Sequence, residues 1–284
     1  MRQHRGFTLV EILIALVIMG LVTGALFQLL TNTQRLSRAQ AEQVDLQANV
    51  RAGSLVVPNE LRELNTVVGG GADQNDVLLA NPDEIRYRAM RGFYVVCQAT
   101  TSTEVRVFAT SVGAYRNPQA GRDGMYVFIE GDPDKEQDDV WQQATITGVA
   151  TGNVCPGGAA GITLTTPDNA VLAAQAVGTP VRLFEIMEVK LYQPDGRSWL
   201  GARSISAGEA IQPLLGPLTD GTGFQLQYFD ANGAVTADLT AIKSIGVTVR
   251  GLTDEAVRSN ASAQWSHPEE QLVTQVLLRN SIRP

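Results

Sequence analysis

Histidine and cysteine each occur only twice in these 284 residues, aromatic side chains make up 6% and charged ones 18%. That scarcity removes most catalytic and metal chemistries. The chain contains no Gly-x-Ser-x-Gly, no His-Glu-x-x-His and no catalytic-cysteine signature, and His267 by itself is a poor general base. Cys97, Cys155 and the histidines fall at no recognisable metal-ligand spacing. The run Gly69-Gly70-Gly71 lacks a following Gly-Lys-Ser/Thr, so it reads as a flexible turn and not as a phosphate loop. Basic residues are outnumbered, 22 against 29 acidic, for a net charge of −7. This balance argues against broad, nonspecific nucleic-acid binding. No internal repeat is present.

What the chain does have is apolar material. Hydrophobic residues make up 44%, enough for one good-sized domain with room for two lobes. They are concentrated first in one run. From Phe7 to Leu30 the chain is apolar apart from Thr8, Glu11, Thr23, Gln28 and a few small residues. A helix of that length rises about 36 Å, enough to cross a bilayer. Glu11 is the only charge in it, and a carboxylate costs about 2.5–3.5 kcal/mol at the centre of a spanning helix and less near an end. It therefore calls for a compensating partner. Arg2 and Arg5 precede the run and place the amino terminus in the cytoplasm and the bulk of the chain outside.

Two ordinary readings fit less well. A secretory signal has an apolar core of about 7–15 residues ending at a small-x-small site, whereas this run is longer, carries Glu11 and offers only Thr23-Gly24-Ala25. A plain single-pass anchor explains the length but gives Glu11 and the Gly6-Phe7 junction no purpose.

The segment Gly6-Phe7-Thr8-Leu9-Val10-Glu11, followed by the apolar run, resembles the class III signal of type IV pilins and type II secretion pseudopilins. The resemblance implies a leader of residues 1–6, a cut between Gly6 and Phe7 by prepilin peptidase, a membrane aspartyl protease, and methylation of the new amine at Phe7. It also implies an assembly role for Glu11. Physically, an α-amino group with a reference pKa near 7.7–8.0 is cationic, and a carboxylate in the same apolar surroundings can neutralise it on a neighbouring subunit. Losing Arg2 and Arg5 leaves 20 of the 22 basic residues against 29 acidic, a balance of −9 before the new amine. Gly20 and Gly24 form a Gly-x-x-x-Gly pair, which permits close helix approach or locally weakens the helix.

Beyond Leu30 the polarity rises while helix formers continue. Leu36, Ala39, Val44, Ala48, Val50 and Leu55 recur mostly at three- and four-residue steps, with Gln34, Arg35, Arg38, Gln43, Asp45 and Gln47 between them. The spacing predicts an amphipathic continuation over residues 31–64 lying against a sheet, with Pro58 ending or kinking it. From Asp76 onward, β-rich segments dominate: Glu84–Met90, Phe93–Cys97, Glu104–Ala109, Met125–Glu130, Ala144–Val149, Pro180–Tyr192, Trp199–Ile205, Phe224–Phe229, Ile242–Arg250 and Leu272–Arg279. Pro194-Asp195-Gly196 and Asp230-Ala231-Asn232-Gly233 are hairpin signals. Trp265-Ser266-His267-Pro268 reads as a surface loop. The expected fold is α+β and pilin-like. A long amino-terminal helix, membrane-spanning over residues 7–30, packs its second half on a mainly antiparallel sheet within residues 65–284.

The segment from Pro180 to Asn280 bears a second, looser resemblance, to PilW-type minor pilins and J-type minor pseudopilins. It is carried by Val189-Lys190-Leu191-Tyr192, Trp199-Leu200-Gly201-Ala202-Arg203, Phe224 to Asp230, Ile242 to Val249 and Leu277-Leu278-Arg279-Asn280. It implies a closing sheet, and as partners other minor subunits, the major subunit and the inner-membrane assembly platform. Residues 65–179 match no pattern.

Three candidate sites remain. In an oxidising, extracytoplasmic setting an even cysteine count allows a Cys97–Cys155 disulfide, which would stabilise the domain by roughly 4 kcal/mol; two free thiols are the alternative. The acidic run holding Asp132, Asp134 and Asp138 offers close-spaced oxygens of the kind calcium takes, without EF-hand spacing, and is otherwise a solvated loop. Arg86, Arg88, Arg91 and Arg106, with Arg116 and Arg122, share a region with Tyr87, Phe93, Tyr94, Tyr115 and Tyr126. Nucleic acid would dock there if the chain binds any; otherwise the aromatics are core.

Overall fold

The computed structural model describes residues 8–67, 75–110, 113–114, 116–132, 134–135, 139–258 and 264–279. Arg2, Arg5, Gly6, Phe7, the glycines at 69–71, Tyr115, Asp138 and Asn280, all singled out in the sequence, lie outside the described residues. The chain divides into two compact units, Met1–Ala48 with Thr253–Glu269, and Asn49–Leu252 with Glu270–Pro284.

One helix, α1, covers Leu9–Arg62 without interruption. Strands follow as β1 Val77–Ala80, β2 Glu84–Gln98, β3 Glu104–Phe108, β4 Asp123–Ile129, β5 Val140–Thr145, β6 Gly148–Val154, β7 Ala160–Thr165, β8 Pro180–Tyr192, β9 Ser198–Ser204, β10 Gln212–Leu218, β11 Phe224–Phe229, β12 Ser244–Leu252, β13 Val257–Arg258, β14 Trp265–Ser266 and β15 Glu269–Leu277. In the smaller unit every large apolar side chain between Leu9 and Leu30 is exposed. Thr23 donates its hydroxyl to the Met19 carbonyl at 2.7 Å, so this hydroxyl is satisfied within the helix. Strands β13 and β14 form an antiparallel ribbon, Val257↔Ser266 and Arg258↔Trp265, braced where the Thr253 carbonyl meets His267 Nδ1 at 2.8 Å.

In the larger unit the strands form a sheet ordered β11-β12-β10-β9-β8-β2-β3-β7-β6, with β1 beside β2, β15 beside β12, and β4 and β5 joined through β8. Its spine is the antiparallel pair β2 and β8, in register from Glu84↔Lys190 to Val95↔Pro180. Each long strand changes partners along its length. The first half of β8 lies against β4 and the second half against β9, while β2 meets β1 early and β3 late. Two cores result. One gathers Ile85, Tyr87 and Ala89 of β2 and Val189 of β8 with Val57, Leu61 and Leu64 and with β9 to β12. The other gathers Tyr94 and Val96 of β2 and Val181 and Leu183 of β8 with β3, β4 and β7.

The inner face of α1 differs from the expected stripe. Leu36, Val44 and Leu55 are exposed, whereas Val50, Gly53, Ser54, Val57 and Leu61 are buried. Val50 of the expected stripe is buried, but Leu55, about 140° round the helix from it, is not: within the larger unit the sheet meets the side that carries Val50, Gly53, Ser54, Val57 and Leu61. Gly53, a breaker in isolation, sits inside the helix where a Cβ would come within 2.7 Å of Leu215 Cδ2; its missing side chain permits the close approach. Nor does Pro58 end the helix. An internal proline costs about 3 kcal/mol, but burial of Val57, Leu61 and Leu64, at about 1.5–3 kcal/mol each, outweighs that. The last turn is also tied down, since Arg279 N donates to the Arg62 carbonyl at 2.8 Å.

Five strands went unforeseen: β1 and β10, where Leu78 to Ala80 and Gln212 to Leu218 show neither alternation nor aromatic enrichment; β7, whose Ile162-Thr163-Leu164-Thr165 alternation was passed over; and the two-residue β13 and β14, the latter placing Trp265-Ser266 in a ribbon and not in the surface loop expected of them. The expected break between Met90 and Phe93 is instead a register shift within β2, the sort of bulge a glycine such as Gly92 accommodates. Ala144–Val149 splits between β5 and β6, with Ile146 fully buried at the crossing. The Pro194-Asp195-Gly196 turn joins β8 to β9 with Asp195 at φ 55° and Gly196 at φ 78°. The Asp230–Gly233 turn returns only as far as a single Phe229↔Val235 bridge. Cys97, near the end of β2, and Cys155, just past β6, are joined by a disulfide spanning 58 residues.

The buried side of α1 is tested by two substitutions in the purified chain. Leu61→Ala should cost about 2–5 kcal/mol in denaturant unfolding, and Leu55→Ala about 0.5 kcal/mol or less; equal losses would restore the original face.

Candidate functional site

The start of α1 holds a reciprocal cap. Thr8 N donates to Glu11 Oε2 at 3.0 Å and the Thr8 hydroxyl donates to the same oxygen at 3.1 Å, while Glu11 N donates to Thr8 Oγ1 at 3.3 Å. Two orphan helix donors are thereby satisfied in the manner of a Thr-x-x-Glu capping box. The carboxylate also stands at the positive end of the helix dipole. Sequence reasoning singled out Glu11 alone and passed over Thr8, although the Thr-x-x-Glu spacing before an apolar run was the available signal. Among the described residues, α1 is the one helix with a stretch long and apolar enough to cross a membrane, at a mean hydropathy of 2.5. Gly20 and Gly24 lie on it with open space where their Cβ atoms would be.

The arginines named as a nucleic-acid surface are instead placed on internal partners. Glu185 and Glu188 of β8 are buried on opposite faces of the sheet. Glu185 accepts from Arg122 Nε at 2.6 Å, Arg91 Nε at 2.9 Å and Arg116 Nη2 at 3.3 Å. Glu188 accepts from Arg203 Nε at 2.6 Å and Arg86 Nε at 2.7 Å, with Lys190 Nζ at 3.3 Å. Arg116 also grips Asp123 with two bonds of 2.6 Å, and Arg91 reaches Glu60 of α1 at 3.4 Å. Arg106 donates to Gln98 Oε1 at 2.6 Å and to Thr163 Oγ1 at 3.1 Å. Arg88 is buried, donates to the Asn75 carbonyl at 2.5 Å and lies 5.5 Å from the Phe184 ring centre and 6.0 Å from that of Tyr126. These charges tie neighbouring segments of the sheet together.

Burial alone would raise the Glu185 carboxyl, but hydrogen bonds from Ser204 and Arg91 and the charges of Arg122 and Arg91 outweigh it and bring the group down to about 2. Burial likewise works against Glu188, which Arg203, Glu84, Arg86 and Lys190 hold well below the usual carboxylate range. Asp76 behaves oppositely. Burial pushes it up to about 6, and the Asn65 N–H with the positive Arg182 and Arg88 only partly offsets that. Its Oδ2 takes the Asn65 N–H at 2.7 Å and its carbonyl takes Arg88 N at 2.8 Å, stapling the chain leaving α1 to β2.

In the acidic run, Asp132 is engaged by Lys135 Nζ at 2.7 Å and accepts from Asp134 N at 3.2 Å; Asp138 lies outside the described residues. No group of three or more histidine, cysteine or acidic residues arranged to hold a metal occurs among the described residues.

Because the folded-state pKa of Asp76 is raised, its contribution favours the fold while it is protonated and is lost as pH rises from 3.8 towards about 6. Denaturant midpoints of the wild type should therefore fall across that window through this group, and Asp76→Asn should flatten the fall. An identical slope in the variant would remove Asp76 from the account.

Comparison with known families matches residues 1–27 to the family described as Prokaryotic N-terminal methylation motif. No curated protein and no solved structure matches the chain. The motif implies processing by prepilin peptidase and assembly with other pilin subunits, and the exposed apolar helix fits membrane anchoring before that assembly. With one long helix, its carboxyl-terminal turns packed on a large antiparallel sheet, the chain has the α+β pilin-like fold, and its first 27 residues carry the class III signal of type IV pilins and pseudopilins.

Proposed function

We propose that this chain is a minor pilin or pseudopilin, stored in the inner membrane with its amino terminus in the cytoplasm. Prepilin peptidase cuts it between Gly6 and Phe7 and Phe7 is methylated. The subunit then enters a type IV pilus or type II secretion pseudopilus, joining other minor subunits and the major subunit at the assembly platform. Its contribution is structural and it catalyses nothing.

The observation that carries this reading is the methylation motif leading into a helix whose apolar side chains from Leu9 to Leu30 are all exposed. An exposed surface of that size is stable only in lipid or against other helices. Glu11, held by Thr8 at the helix start, is the group that neutralises a neighbouring amine on packing. Leu36, Val44 and Leu55, exposed beyond the membrane segment, support continued helix packing there. A body built on two hydrophobic cores suits an end of the filament, where lateral crowding is least, better than a dense shaft. Priming of assembly at the tip follows from that position.

Quantitative mass spectrometry and immunogold labelling of purified filaments test this. The wild type should appear in a few copies at one end, and Glu11→Ala should be cleaved yet absent from filaments. Many copies along the shaft, or normal incorporation of Glu11→Ala, would contradict the reading.

A further inference from the structure

Among the described residues, β5 pairs with β4 alone, so its other edge carries main-chain groups that no strand uses. Ladder parity identifies them. Ile146 N donates to the Asp123 carbonyl at 3.4 Å, and the register continues as Gly124↔Thr145 and Tyr126↔Gln143. Alternation then turns the N–H and C=O of Gln143 and Thr145 away from β4. The Gln143 carbonyl is met by the side-chain amide of its own neighbour, Gln142 Nε2, at 3.1 Å, in the place where an added strand would present an N–H. Natural edges are commonly guarded by lysine, proline or a bulge. The sequence Val140-Trp141-Gln142-Gln143-Ala144-Thr145 has neither lysine nor proline, and its register with β4 runs without a shift.

This edge borders a cavity of roughly 470 Å³ whose opposite wall is the segment from Thr166 to Ala170. The wall is preformed: Thr166 N donates to the Thr103 carbonyl at 2.9 Å and Asn169 N to the Ser102 carbonyl at 2.8 Å. Amide and hydroxyl groups dominate the lining, and Asp168 is its only charge. Gln143 Oε1 is buried there without a hydrogen-bond partner. Next to the Ile129↔Val140 pair stand Glu130 and Asp139, while Lys135 is already engaged by Asp132.

We propose that this cleft binds an extended, basic segment of a partner polypeptide, about four to six residues long, which adds to β5 as a further strand. Main-chain bonds to Gln143 and Thr145 supply the ladder, and Asp168 in the lining with Glu130 and Asp139 next to Val140 selects lysine or arginine in the occupant. A neutral saccharide would also suit amides and hydroxyls, but it would use neither the two-residue spacing of the edge nor the flanking acids.

Because strand addition is carried by the main chain, a generic probe serves. Full-length chain in detergent is titrated into fluorescein-labelled Lys-Thr-Val-Thr-Val-Lys and followed by anisotropy. Binding should saturate and weaken with salt. Thr145→Pro removes an outward N–H without touching the bonds to β4, and Asp168→Lys inverts the lining charge at an exposed position. Each should lower affinity by at least about tenfold with the unfolding midpoint unchanged. No saturation at about millimolar peptide, equal binding of Lys-Thr-Pro-Thr-Pro-Lys, or displacement by a neutral oligosaccharide would each overturn the proposal. Failure here leaves the amino-terminal signal and its filament test unaffected.

Discussion

Burial of Glu185 and Glu188 on opposite faces of one strand is the constraint on which the body of this protein depends. A lone carboxylate taken out of water is costly, and losing one partner of a buried pair costs about 3–5 kcal/mol. Here each is surrounded by cationic groups from different parts of the chain, Arg91 of β2 with Arg116 and Arg122 from the segment before β4 for Glu185, and Arg86 of β2 with Arg203 of β9 for Glu188. The β2–β8 register is thereby fixed by charge as well as by its ladder, since a slip of one residue would carry each carboxylate to the other face and strand its arginines. Both hydrophobic cores contain residues of these two strands. Anything that loosens the pair loosens both.

The rest of the chain is arranged around the contrast between that body and α1. The sheet accepts only one face of the helix, from Val50 to Leu61, and does so closely because Gly53 has no side chain. Towards the amino terminus the helix keeps its hydrogen bonds internal and its apolar side chains outward. Such a helix is self-sufficient in its backbone and unsatisfied in its surface, which is the condition for moving from lipid into a bundle of like helices. Glu11 belongs to the same logic. Its carboxylate is held by Thr8 while the chain is alone, and it is a group another subunit's amine can engage.

How much of this was legible in the sequence depended on how local the signal was. Gly6 to Glu11 and the apolar run are contiguous, so the signal and the helix could be read directly. Turns such as Pro194-Asp195-Gly196 were legible because the residues themselves favour left-handed backbone. The face of α1 that would be buried was only partly legible: Val50 of the expected stripe is buried, but Leu55 is as apolar as Val57 and only the sheet decides between them. Pro58 misled for the same reason, as tertiary burial overrides a local propensity. The arginine partners were not legible. Arg86, Arg88 and Arg91 look like a basic cluster along the chain, but Glu188 and Glu185, the partners of Arg86 and Arg91, are about a hundred residues away, and a one-dimensional reading cannot see that pairing. Strand β5 was half seen, because the β-branched run Thr145-Ile146-Thr147 crosses the junction between strands and Gly148, the one turn residue there, was passed over.

The central claim is that the first six residues are a leader and that the working chain starts with a modified Phe7. Intact-mass and amino-terminal peptide analysis of the chain recovered from a host with prepilin peptidase addresses it directly. The account predicts a chain lacking residues 1–6 and carrying one methyl group on the amine of Phe7. Recovery of an unmodified chain that retains Gly6, or one cut elsewhere in the apolar run, would contradict it.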